Sequence, residues 1–474
     1  MSLPSIPLCV DMDGTLIHGD LLLECCLALL RRNPLYLFLM PWWLLCGKAV
    51  LKAELARRVC LNHATLPVHR EFLNWLSDQK GEGRQLWLCT ASNHRLATGI
   101  ADHLKLFEGV LASSDTHNLS GRNKADSLVE KFGVKAFDYC GNHRVDLAVW
   151  SVSRGGVLVN APKRLEKRAR MVTDVYRTFA PQGHMMRAVA KALRLHQWVK
   201  NILLFVPLAA AHQLLDVEAL GAAMLAFLAF SLCASSAYVL NDMLDLEADR
   251  QHPRKAQRPF ASGQLPLLAG FVLVPLLLAG AIATAMLLPP NFRLVLAGYF
   301  LLTLAYSFRL KRVALIDIVV LAGLYTIRIV AGTFAVSVPL SFWLLMFSVF
   351  LFFSLALVKR YTELQVMQRQ GSLGVAGRGY RLDDLAVLES LGTSAGFLSV
   401  LVLALYINSP AVEALYRQPQ IMWMLCLLML YWISRVWMSA HRGAVHDDPV
   451  LFALKDRASL IVGILCAITI YLAS

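Results

Sequence analysis

Three aspartates, Asp242, Asp245 and Asp249, follow Asn241 at intervals of three and four residues. On a helix that spacing lines three carboxylates along one face. Like charges so close repel, and at bilayer depth each would cost on the order of 3 kcal/mol, so such a stripe belongs at a wet mouth facing cations. Magnesium is the expected cation, because it takes hard oxygen ligands and commonly bridges one or two carboxylates to substrate phosphates. Solvated acids paired with Arg250, Arg254 and Lys255 are the plainer account, and spacing alone fits both. Near the other end of the chain a short apolar run, residues 6 to 10, opens onto Asp11-Met12-Asp13-Gly14-Thr15. Two carboxylates two residues apart at the carboxyl end of a strand can divide phosphoester chemistry. Asp11 can attack phosphorus, while Asp13 protonates the leaving oxygen and later activates water.

These groups sit in two unlike halves of a 474-residue chain that is 57% hydrophobic and only 16% charged, with mean hydropathy +0.54. Soluble domains carry about a quarter charged residues, so an integral membrane protein is expected. Residues 1 to 200 mix charge and apolarity in ordinary proportion, whereas later residues alternate long apolar runs with short basic segments. Runs near 201–216, 218–240, 266–288, 292–308, 313–336, 340–358, 386–407, 420–440 and 458–473 predict nine spanning helices. Basic residues cluster before the first run (Arg187, Lys191, Arg194, Lys200) and in alternate loops, among them Arg309, Lys311, Arg312, Arg369, Arg378 and Arg381. The intervening loops hold only Arg293 and Arg417. By the positive-inside bias, the N-terminus is cytoplasmic and the C-terminus periplasmic in a bacterial inner membrane. No secretory leader is expected ahead of Asp11, so the N-terminal domain is expected in the cytosol. The net charge of +14 forms no continuous stripe, which points to anionic lipid headgroups and phosphorylated substrates instead of nucleic acid. Ten scattered cysteines without CxxC spacing suggest neither zinc nor a disulfide framework.

The stretch from Asn241 to Gly263 resembles the first aspartate-rich motif, NDxxDxxxD, of the UbiA superfamily of membrane prenyltransferases. Residues 190 to 470 look like its decaprenyl-phosphate phosphoribosyltransferase branch, through LHQWVKN (195–201), HPRKAQRP (252–259), LAYSFRLK (304–311), IRIVAG (327–332), KRYTEL (359–364) and DDPVLFALKDR (447–457). The superfamily's second acidic motif is replaced by Lys359-Arg360-Tyr361-Thr362-Glu363, whose cation pair suits a second anion. Positive-inside decoration would also explain those cations. The resemblance implies transfer of phosphoribose from 5-phosphoribosyl 1-diphosphate to a polyprenyl phosphate. Asp242, Asp245 and Asp249 would then hold one or more Mg²⁺, and Asn241, Lys255, Arg258, Lys200, Lys359, Arg360, Tyr361 and Glu363 would bind substrate. A prenyltransferase using a prenyl diphosphate donor is the competing activity. Oligomeric state is left open, with a homo-oligomer among the options.

Asp11-x-Asp13-Gly14-Thr15 resembles motif one of haloacid-dehalogenase-like phosphatases, and three further elements follow in order. The run Leu86 to Cys89 ends in Thr90, whose hydroxyl would bind phosphoryl oxygen. Lys124 would neutralise an aspartyl-phosphate, and Asp138 to Asp146 resembles the metal-binding GDxxxD element with Asn142 where the pattern prefers Asp. One Mg²⁺ on Asp11, Asp13, Asn142 and Asp146 is implied. The expected organisation is a Rossmann-like α/β domain over 1–180 with a helical cap near 20–80 and a last strand over Gly156 to Asn160. An amphipathic lead-in over 181–200 and an all-α polytopic domain over 201–474 follow. Within the cap, the apolar run around Trp42 and Trp43 is too short to span. It fits either a hairpin on the membrane surface or a buried cap core. Together the two halves suggest phosphoribosyl transfer followed by loss of the 5-phosphate, giving a polyprenyl-phosphoryl ribose of the kind that feeds arabinose donors and cell-wall synthesis.

Overall fold

The computed structural model describes residues 6–181, 185–252, 254–369, 379–445 and 448–473; Arg378 and Asp447 lie outside the described residues. The chain divides into two compact units, residues 1–195 with 238–276 and residues 196–237 with 277–474. The division falls inside one helix, Val217–Leu244.

In the first unit, six strands form one sheet: β1 (Leu8–Val10), β2 (Leu86–Asn93), β3 (Gly109–Ser113), β4 (Asp138–Gly141), β5 (Gly155–Val159) and β6 (Asp174–Phe179). Their order is β3-β2-β1-β4-β5-β6, with every adjacent pair parallel. Parallel neighbours need crossovers, which helices such as His94–Leu104 and Arg122–Phe132 supply. β1 and β5 are buried throughout, so their sequences read as unbroken apolar or glycine-rich runs without alternation. The expected last strand is β5, yet β6 follows it. Only Val175 and Phe179 of β6 are buried, so this edge strand offers too little apolar signal to stand out. The strand order reverses between β1 and β4, the place at which parallel sheets of this kind present a crevice at the strands' carboxyl ends.

The cap expected near 20–80 contains the helices Leu21–Arg32, Tyr36–Leu45 and Lys48–Arg58. Asp20 starts the first by accepting from the N–H groups of Leu22 and Leu23. Leu21, Cys25, Leu29, Leu51 and Leu55 then join Leu8, Val10 and Phe72 in one apolar cluster. Tyr36–Leu45 contributes no fully buried residue, and only Tyr36, Met40 and Trp43 pack against that cluster.

Among the described residues, seven helices are long and apolar enough to cross a membrane: Val217–Leu244, Leu267–Ala285, Pro290–Phe308, Ile316–Ala335, Phe342–Arg369, Leu382–Ile407 and Pro419–His441. Nine were expected. The first of those, 201–216, is instead a 3-10 run, Leu195–Phe205, and a five-residue helix, Val206–Ala210, with Pro207 in its first turn. The ninth is a helix, but Arg457–Ala473 has 17 residues; at 1.5 Å per residue it reaches about 26 Å, short of ~30 Å of hydrocarbon. In the second unit the helices pack through small residues. A Cβ on Gly392 would lie 2.0 Å from the Trp437 ring, whose Nε1 donates to Ser354 Oγ at 3.1 Å.

Candidate functional site

The crevice of the first unit gathers the residues that sequence motifs placed far apart. Asp11 leaves β1 with its N–H bonded to the Cys140 carbonyl on β4. Lys124, in the first turn of Arg122–Phe132, donates to Asp11 Oδ1 at 2.8 Å and to the Tyr139 hydroxyl at 2.9 Å. Asp13 accepts from Leu21 N–H at 2.9 Å and from Ser92 Oγ at 2.7 Å. Thr90 is fully buried on β2, and its Oγ1 accepts from Ser92 N–H at 3.0 Å. Burial pushes the Asp11 carboxyl up, with Lys124 opposing. Burial and the Asp20 charge push Asp13 up to about 7. A carboxyl there exchanges protons near neutral pH, as a proton donor to a leaving oxygen must. Burial works against the Lys124 ammonium, but Asp11 and Asp146 hold it above its ordinary range.

Asn142 and Asp146 take different parts. Asp146, also expected among the metal ligands, accepts from Tyr139 at 3.0 Å through Oδ1 and from the N–H groups of Asn142 and His143 at 3.1 and 2.9 Å through Oδ2. It shapes the loop that presents Asn142. Asn142 lies over Gly14, where a Cβ would fall 2.0 Å from its Nδ2, and Gly14 has φ +74°. The Asn142 Oδ1 is buried without a hydrogen-bond partner among the described residues. An orphaned buried acceptor beside ionisable carboxylates is the donor set a hard cation needs, so Asp11, Asp13 and Asn142 fit magnesium. Sequence reading gave no role to Ser92, two residues beyond Thr90, or to Tyr139, which lies within the Asp138 to Asp146 stretch.

The same unit holds the acidic triplet. Asp242 is buried in the last turn of Val217–Leu244, but the helix ends at Leu244 and a second, Leu246–Gln251, starts after Asp245. The continuous acidic face expected from spacing is therefore interrupted at Asp245. Arg258 bridges the outer two acids, reaching Asp242 Oδ1 at 3.0 Å and Asp249 Oδ2 at 2.6 Å. Arg194 also bonds Asp242, and Arg31 lies 3.8 Å from Asp245. Burial raises the Asp249 carboxyl against the pull of Arg258. Among the described residues no three acidic, histidine or cysteine side chains converge as a metal cage. The Arg258 guanidinium occupies the place between two carboxylates that a bridging cation would take, so the donor chemistry fits magnesium with Arg258 displaced. Asn241 and Lys255 flank this cluster half-buried. Arg250 does not pair with the triplet: both its Nη atoms bond Glu24 at 2.8 Å, with the side chains 8% and 4% exposed.

In the second unit, Lys200 Nζ lies 2.7 Å and Lys359 Nζ 3.5 Å from Asp448 Oδ2, and the Tyr325 hydroxyl donates to Oδ1 at 3.0 Å. Burial alone would raise the Asp448 carboxyl, but Lys359 and Lys200 hold it well below the usual range. Asp448 and Tyr325 were not foreseen; the signal lay in the DDP triplet, where Asp448 caps the helix Pro449–Lys455. The rest of the expected substrate-binding set in this loop is engaged with neighbouring side chains. Arg360 is 1% exposed and bonds Asp317, Glu363 and Tyr306. Tyr361 is buried against Trp437, its hydroxyl 3.0 Å from His441 Nδ1. Consecutive helical residues point about 100° apart, so Lys359 can reach Asp448 while Arg360 and Tyr361 turn into the bundle, and Glu363, one turn on, shares the Lys359 face and pairs with Arg360.

Comparison with known proteins matches residues 202–457 to the UbiA prenyltransferase family. Protein y4nM of Sinorhizobium fredii is 37% identical over 98% of this chain and 90% of its own length. The decaprenyl-phosphate phosphoribosyltransferase of Mycobacterium tuberculosis is 40% identical over 40% of this chain, which spans 65% of that relative. A haloacid-dehalogenase-family hydrolase structure from Salmonella enterica covers 37% of this chain and 68% of its own, at 12% identity and TM-score 0.27. With the family match running over more than half of its length, this integral membrane protein belongs to the UbiA prenyltransferase family.

Proposed function

We propose that the chain transfers phosphoribose from 5-phosphoribosyl 1-diphosphate to a polyprenyl phosphate at the cytoplasmic face of a bacterial inner membrane, and that its N-terminal domain then removes the 5-phosphate. The observation that carries the transferase reading is the buried acid pair Asp242 and Asp249 bridged by Arg258 at the end of a membrane helix. The similarity to decaprenyl-phosphate phosphoribosyltransferases supports the choice of donor. Asp242, Asp249 and Asp245 would hold Mg²⁺, which neutralises charge on a departing diphosphate. A lipid phosphate oxygen forms the new bond to C1 of ribose as the bond from C1 to pyrophosphate breaks, and Arg258 follows the leaving anion. Lys200 and Lys359, which face the Asp448 carboxylate, are suited to an anionic oxygen of the acceptor.

In the N-terminal domain Asp11 attacks the 5-phosphate, Asp13 protonates the ribose oxygen, and Lys124 offsets the charge on the aspartyl-phosphate. Water, deprotonated by Asp13, then releases inorganic phosphate and restores Asp11. Asp11, Asp13 and Asn142 would hold the Mg²⁺ of this step, which screens the phosphoryl oxygens. The product, a polyprenyl-phosphoryl ribose, is a precursor for lipid-linked pentose donors. Purified protein given Mg²⁺, 5-phosphoribosyl 1-diphosphate and a polyprenyl phosphate should yield that lipid by mass, and Asp11→Asn should stop one phosphate earlier. Asp242→Asn should abolish pyrophosphate release while the protein remains folded. Turnover of a prenyl diphosphate and none of the ribosyl donor would replace this reading with prenyl transfer.

A further inference from the structure

The cap helix Tyr36–Leu45 has ten residues, none charged. One side, Tyr36, Met40 and Trp43, packs on the cap's apolar cluster. The other side carries Leu37, Phe38, Trp42 and Leu45 at 58%, 77%, 65% and 81% exposure. A helix on the surface of a water-facing domain turns its polar face outward; this one has no polar face. It is flanked by the exposed Arg32 and Lys48, and Arg58 stacks over Trp43 at 4.9 Å.

We infer that the outward side of this helix enters the interfacial layer of an anionic bilayer, so that the N-terminal domain works as an interfacial enzyme on a substrate still seated in lipid. Three observations select a bilayer as the occupant. Seven helices of the same chain are built to cross one, so a bilayer is present at high effective concentration for any surface tethered to them. At 1.5 Å per residue the helix is about 15 Å long, which suits lying in the interface and not crossing about 30 Å of hydrocarbon. Tryptophan and flanking cations are the residues that settle at the headgroup level of anionic membranes. The lipid-substrate half of this inference rests on the phosphatase reading above; the bilayer contact does not.

Two measurements separate them. Cys46 and Cys60 are exposed thiols, so Phe38→Cys is placed in a Cys46→Ser, Cys60→Ser background, labelled with an environment-sensitive fluorophore and reconstituted in phosphatidylethanolamine–phosphatidylglycerol nanodiscs. Brominated acyl chains should quench the label at position 38 and leave one at the exposed Asp102→Cys unaffected. Absence of quenching at position 38, or protection that appears only with two copies per disc, overturns the bilayer contact. In the second measurement, Phe38→Asp with Trp42→Asp should lower phosphate release from the phosphorylated lipid by about tenfold. Hydrolysis of p-nitrophenyl phosphate should stay within about twofold, since that substrate needs no interface. Equal losses on both substrates overturn the interfacial role. A parent inactive on both refutes the phosphatase reading and leaves the quenching result to decide the contact.

Discussion

Asp13 should make the N-terminal domain less stable than it could be, in a pH-dependent way. Its native carboxyl is raised from 3.8 to about 7 by burial and by Asp20, so between those values the native state binds more protons than the unfolded chain. Stability therefore falls as pH rises through this window and levels off above the native value. At ~1.4 kcal/mol per pH unit the penalty approaches about 4 kcal/mol at pH 8 and stays under about 2 kcal/mol at pH 5. Solvent reaching this partly exposed side chain reduces the first figure to about 2–4 kcal/mol. Asp13→Asn removes the charge and keeps an acceptor for Leu21 N–H. In metal-free buffer at pH 8, labelling of the buried thiols Cys9, Cys25, Cys89 and Cys140 in urea should slow by about 30-fold or more relative to the parent. The gain should shrink at pH 5 and on adding Mg²⁺ to the parent. No gain at pH 8, or an equal gain at both pH values, would refute the assignment of a carboxylate destabilised by burial and the Asp20 charge.

Three further outcomes follow from the same geometry. Asn142→Asp replaces an orphaned amide oxygen with a carboxylate, so phosphate release should reach half its maximum at a Mg²⁺ concentration about tenfold lower, read from a metal titration. Glu24→Gln leaves the Arg250 guanidinium buried without its counter-charge and should cost about 3 kcal/mol in urea unfolding followed by cysteine protection; Glu24→Arg with Arg250→Glu should recover part of it. Asp448→Asn frees two lysines from a carboxylate, so the KM for polyprenyl phosphate should change by at least about threefold with the N-terminal phosphate release unaltered; unchanged KM would detach Lys200 and Lys359 from acceptor binding.

Local sequence carried much of this site, for reasons visible in particular residues. Asp11 to Thr15 is legible because two carboxylates and a turn glycine come from one short segment, and Thr90 and Lys124 because each marks the end of an apolar run or the start of a helix. The long apolar helices are equally legible, since about 20 apolar residues in a row have few other uses. The short lead at 195–210 was misread because Pro207 and a 3-10 path do not alter its apolar composition.

What the chain's order of residues determined, then, is which chemical groups are present and the period on which each segment places them. What only tertiary structure decided is which partner each charge meets. Arg250 and Arg258 are eight residues apart, yet one is spent on Glu24 and the other bridges Asp242 and Asp249. Lys359 and Arg360 are adjacent, yet one turns to Asp448 and the other into the core. Electrostatic pairing depends on distance and burial in space, and both are fixed by packing between segments that in these pairs lie as few as 9 and as many as 226 residues apart.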